Sequence, residues 1–227
     1  VQQLKEAFLS VKLQPHIFSM ILVVLILIVL SIVVYLKVSK QPVNRAPVGV
    51  AQVAEHYVMG VDNLYRDVAG NKLERPAPYI FTLLTFLVFG NLISLVGVPA
   101  VSTSYSVTLT LALVSWMGVY VVGIVYKRWR FWLRFLSNPL ELIGQFAPLI
   151  SLSFRLFGNI IGGSIILYLL YYMTGWIWQM IPVVGEINLL GALIAPVFHA
   201  YFDIFSGIVQ AYVFTLLTML YWSLETE

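Results

Sequence analysis

At 227 residues, with 60% hydrophobic and 10% charged side chains, the chain has too little polar surface for a water-soluble domain, where about 25% charge is usual. Its net charge of +3 comes without a basic face interleaved with aromatics, which excludes nucleic acid as a partner. The zero cysteine count excludes disulfides and thiolate metal sites, and no cofactor is expected.

A hydrocarbon slab of roughly 30 Å takes about 20 apolar residues per helical crossing, and runs of that length use up most of the chain. The expected fold is therefore one all-α integral membrane domain, residues 1–227, with about five transmembrane helices and one amphipathic surface helix. Residues 17–36 make the first span, rich in Ile, Leu and Val and uncharged. It is too long for a signal-peptide core and no small-residue cleavage site follows it, so it reads as a retained span. A basic stretch with Lys37, Lys40 and Arg45 follows. Within 46–69, Val50, Val53, Ala54, Tyr57, Val61, Leu64, Tyr65 and Val68 recur at helical spacing, opposite a face holding Glu55, Asp62 and Arg66. That pattern predicts a helix lying on the membrane surface.

Residues 79–98 form the second span and 105–126 the third, joined by an uncharged loop. Lys127, Arg128, Arg130 and Arg134 then alternate with tryptophans, as at a membrane interface. The last two segments, 139–172 and 189–222, each continue a helical pattern for about 34 residues, or roughly 50 Å. Helices of that length must tilt steeply, project from the bilayer or kink. Cations gather in two alternate connections and are absent from the other two, which places those two connections in the cytoplasm, the N-terminus outside and the C-terminus inside. Lys5 and Lys12 are a mild exception.

Arg155 stands deep in the fourth span, where a guanidinium costs about 2.5 kcal/mol or more. It cannot shed its proton, so it must meet water or a carboxylate. Its helical face carries Pro148, Ser151, Gly158, Asn159 and Gly162, and the small residues there would admit a neighbouring helix. Glu141 lies about 21 Å away along the axis, too far to be its partner. In the last helix His199, Asp203, Ser206, Gly207 and Gln210 fall on one stripe. A carboxylate and an imidazole one turn apart suit a proton or ion relay if water reaches them. An interhelical hydrogen-bond cluster is the plainer reading of the stripe. A metal held by His199 and Asp203 would have too few ligands, and Ser206 sits in no nucleophile elbow.

The run Ser153-Phe-Arg155-Leu-Phe-Gly-Asn159-Ile-Ile-Gly-Gly163 resembles the signature of subunit a of rotary F-type ATP synthases, of the bacterial type. The closing run from Ile208 through Gln210 to Tyr221 is similar to that family's last helix, and Ser106–Leu113 and Asn138–Ile143 add to the likeness. The resemblance covers nearly the whole chain. It implies a plasma-membrane stator subunit, not catalytic by itself, within the complex that couples ion flow to ATP synthesis or hydrolysis. The implied partners are a c-ring of small two-helix subunits, the peripheral-stalk subunit b, other subunits of the synthase and the lipid bilayer.

By that resemblance Arg155 faces the c-ring carboxylate and separates two offset half-channels, with Asn159 and Gln210 beside it. Glu141 belongs to the cytoplasm-facing half-channel. Many relatives carry a glutamate where this chain has Ser164, and a histidine or acid where it has Asp203, so Asp203 carries the outer half-channel alone. The resemblance transfers no role to His199. The ion is taken as the proton, with sodium the alternative that the ring's own site would select. A stand-alone secondary transporter is the rival reading; it calls for an internal repeat and broken helices, and the sequence shows no convincing repeat.

Overall fold

In the computed structural model the described residues are 15–42, 46–70, 73, 76–128, 131, 144–180 and 188–226. Most of them are helical, joined by turns and short irregular connections, and no strand occurs among them. Helix α1 runs Pro15–Ser39, α2 Val50–Ala69, α3 Ala77–Leu92, α4 Tyr105–Lys127 and α5 Ala147–Gln179. The final stretch is α6, Leu189–His199, a π-helical segment, Ala200–Ser206, and α7, Gly207–Leu224. Five helical stretches are long and apolar enough to cross a membrane: His16–Ser39, Ala77–Val96, Tyr105–Lys127, Ala147–Gln179 and Leu189–Leu224.

Several boundaries differ from the sequence expectation for local reasons. The amphipathic helix starts at Val50, not 46, because Gly49 takes a left-handed φ of 67° that ends the preceding extended chain. The second span loosens into a 3-10 turn at Ile93–Val96 and stops where Gly97 adopts φ 80°. Of the expected helix from 139, residues 139–143 lie outside the described residues. Gln145 and Phe146 form a turn, and α5 opens with Pro148 in its first turn, where a missing N–H costs nothing. At its other end α5 continues past 172 to Gln179, through Gly175. Thr174 supports that turn by donating to the Leu170 carbonyl at 2.7 Å, and a mid-helix glycine costs only about 1 kcal/mol.

The core joins α2, α3, α4, α5 and α7 through Val61, Leu83, Leu84, Leu87, Ala112, Leu152, Leu156, Ala211 and Phe214. A second cluster docks the C-terminal half of α2 on α7 through Tyr65, Ala69, Met219 and Trp222. Val53, Val58 and Met59 in the other half of α2 remain exposed. Trp222 anchors the end of α7: its indole donates to the Ser115 carbonyl at 2.8 Å and stacks on Tyr79. Gly118 makes that approach possible, because a Cβ there would overlap the indole ring. Lys127 closes the same end with a 3.3 Å ion pair to the buried Glu225. α1 stands apart, with Val23 and Ser19 fully buried and most of its apolar side chains exposed.

Candidate functional site

Arg155 sits in the third turn of α5 and is exposed at the flank of the helix bundle. Its Nη2 donates to Ser151 Oγ at 3.3 Å, one turn earlier. Among the described residues it pairs with no carboxylate; their ion pairs are Arg66–Asp62, Lys127–Glu225 and His199–Asp203. The surface beside it is open. A Cβ added at Gly158 or at Gly162 would meet nothing within 4 Å. Phe154, next to Arg155, is also exposed and borders Tyr105 of α4. An apolar span thus presents a bare cation beside two residues without side chains.

One turn further, Asn159 joins α5 to the last helix. Its Nδ2 donates to Gln210 Oε1 at 3.2 Å, and its Oδ1 accepts from Ser206 Oγ at 3.0 Å. Gln210 is 6% exposed and its Nε2 has no partner among the described residues. An unpaired buried amide donor costs about 1–3 kcal/mol, so this group is poised for a further acceptor.

His199 and Asp203 form a separate cluster. His199 Nδ1 and Asp203 Oδ2 lie 2.6 Å apart, and His199 Nε2 is 3.0 Å from the Tyr171 hydroxyl on α5. Asp203 is 16% exposed as a side chain, so its carboxylate is largely removed from the surface while still bordering open space. That space is a cavity of about 350 Å³ lined by His199, Asp203, Ser164, Asn91, Ser94 and Thr103, among others. Ser164 and Asp203 therefore line one cavity, and Ser164 Oγ donates to the Ile160 carbonyl at 3.0 Å.

The sequence stripe thus divides in two. His199 and Asp203 face the cavity and Tyr171, whereas Ser206 and Gln210 face Asn159. The reason is the π segment between them, in which each closed ring takes about one residue more than in an α-helix. Pro196, lacking an N–H, weakens the ladder one turn ahead of it. Gly163 lets Phe202 of this segment lie close to α5, its would-be Cβ 3.1 Å from the ring. Glu141 lies outside the described residues. Asn91 was missed at the sequence level, although an asparagine in the apolar run 79–98 was a signal of the same kind as Arg155.

A family model described as ATP synthase A chain matches residues 17–223. ATP synthase subunit a of Mycoplasma genitalium is 36% identical over 72% of this chain and 62% of that protein. The subunit a of Mycoplasmoides gallisepticum is 34% identical over 78% of this chain and 66% of its own length. That of Helicobacter hepaticus is 33% identical over 77% of the chain and 75% of the relative. The chain spans somewhat less than two thirds of the length of the two mycoplasma relatives. The chain belongs to the ATP synthase A chain family.

Proposed function

We propose that the chain is the ion-translocating stator subunit of the membrane sector of a rotary F-type ATP synthase, working against a ring of small carboxylate-bearing subunits. The observation that carries this reading is Arg155: a permanent cation in an apolar span, exposed beside Gly158 and Gly162, with no acid of its own chain among the described residues. A guanidinium so placed is stabilised by a carboxylate supplied from outside the subunit, and close opposite charge favours that carboxylate's ionised form. Each passing ring carboxylate therefore gives up its proton on one side of Arg155 and regains one on the other. Asn159 and Gln210, linked at 3.2 Å, line the approach to the cation.

The outer half-channel is assigned to the cavity holding Asp203, which ends near the uncharged connection of 97–104. The cation-rich connections face the cytoplasm of a bacterial cell, with Glu141 on that side. Two half-channels that each reach the membrane midplane, with Arg155 between them, convert the exchange into directed rotation. Peripheral-stalk subunit b holds the chain still against the ring. The coupling ion is the proton.

ATP-driven acidification of vesicles carrying the assembled complex tests this reading. Arg155→Ala abolishes it and a protonophore abolishes it in the parent, whereas added sodium has no effect. Pumping retained in Arg155→Ala, or absence of a co-purifying ring of two-helix proteins, refutes the proposal in favour of a stand-alone transporter.

A further inference from the structure

Asn91 lies on α3, is 1% exposed, and borders the cavity that holds Asp203. Its Nδ2 donates to the Gly207 carbonyl at 3.1 Å. Its Oδ1 accepts from Ser102 Oγ at 2.6 Å, and Ser102 is equally buried. Gly207 is the first residue of α7, immediately after the π segment. A Cβ on Gly207 would lie 3.2 Å from the Asn91 Cβ, so glycine allows the two backbones to approach. A side chain fixed at both ends thus grips the main chain at the junction between two helical periods.

That junction matters because π rings are rare and poorly bonded, and a costly backbone conformation persists only where its surroundings hold it. Returning residues 200–206 to the α period would turn one side of the junction against the other by about 100°, the angle per residue of an α-helix. The downstream side cannot turn, since Gln210, Ala211, Phe214, Thr215 and Trp222 are all buried. The upstream part, which carries Asp203, has fewer buried anchors, Gly191 and Ala195 in α6 and none in the π segment, so it is the part that turns.

We infer that Asn91 is a positioning residue for ion translocation: by holding the Gly207 carbonyl it preserves the π register that keeps Asp203 in the cavity. The inference deepens the stator reading and rests on it for its functional half. Its structural half stands alone.

These 227 residues contain no cysteine, so Asp203→Cys gives the chain a single thiol whose reaction with a small water-soluble maleimide reports the register within the assembled complex. Adding Asn91→Leu, close in shape but without hydrogen-bonding atoms, slows labelling about tenfold, the factor expected from losing a well-formed buried hydrogen bond. Asn91→Ala gives the same direction without added bulk. Gly207→Ala, which presses on the same contact from the other side, slows labelling too. In the Asp203 background, Asn91→Leu and Asn91→Ala lower ATP-driven acidification by about the same factor while the complex still assembles. Unchanged labelling in the Asn91 variants, or unchanged acidification, overturns the inference. If one variant fails to assemble, the other two decide. Arg155→Ala is run beside them: if it pumps normally the stator reading fails, whereas the labelling result still decides the register.

Discussion

Gly118 is where a single methyl group should do most damage to the packing that holds the last helix. In the parent, the Trp222 indole lies over Gly118, 6% exposed, and donates to the Ser115 carbonyl at 2.8 Å. A Cβ at 118 overlaps the ring, so the indole must withdraw by about 1.2–1.7 Å to regain normal carbon–carbon contact. That retreat stretches the hydrogen bond beyond its useful range and leaves a buried donor, costing about 1–3 kcal/mol. Overpacking of a filled site adds a comparable amount, part of which the same retreat relieves, so the net cost is about 3 kcal/mol. For a chain of this size that lowers the thermal midpoint by about 6–12 °C. The measurement is thermal unfolding in mild detergent, followed by tryptophan fluorescence. Gly118→Ala should melt early, and Gly118→Ala with Trp222→Phe should recover part of the loss because the smaller ring makes room. A Gly118→Ala midpoint equal to the parent's, or no recovery in the double variant, refutes the reasoning.

Two further outcomes are expected. Asp203→Ala slows ATP-driven pumping severely and Asp203→Glu much less, since the longer acid still reaches the cavity it shares with Ser164; equal rates in the two defeat the assignment of Asp203 to the outer channel. Tyr65 on α2 has its hydroxyl pushed up to about 12, first by burial and then by the nearby Tyr126. Its hydroxyl donates to the Leu73 carbonyl. When exposed on unfolding it ionises near 10, so the native state holds its proton more firmly. The stability it contributes is complete below about pH 10 and is lost as pH rises toward 12. Tyr65→Phe should therefore flatten the alkaline fall in melting midpoint; an unaltered pH profile counts against this.

The sequence makes the spans and Arg155 readable for one reason: each is a departure from average composition within a single window. Twenty apolar residues announce a crossing, and one guanidinium among them announces a cost that something must offset. The link from Asn159 to Ser206 and Gln210 follows from placing two polar faces near each other. The π segment is another matter. Residues 199–210 carry a good α-periodic stripe, and the change of period is imposed from outside by Asn91, Asn159 and the close packing of Phe202 on Gly163. Long-range contacts of that kind leave no local pattern. The same is true of the turn at Gln145 and Phe146, where Pro148 was visible but suits a helix start as readily as a kink. Gly175 shows the reverse: a residue that reads as a break stays helical because Thr174 and Asn188 bind the neighbouring turn, Asn188 donating to Thr174 at 3.0 Å.

The separateness of α1 bears on how freely its sequence can drift. Val23 and Ser19 are fully buried, Leu22 and Leu27 pack partly against the same cluster, Thr103 meets His16 at 3.1 Å, and most other side chains from 17 to 38 are exposed. Where lipid is the neighbour, one aliphatic residue serves as well as another, because hydrocarbon tails do not discriminate shape. Exchanges among Leu, Ile, Val and Phe along that outer face should be nearly silent in both assembly and pumping. The tolerated alphabet narrows abruptly at positions 19 and 23, where a larger residue would lever the helix off α3.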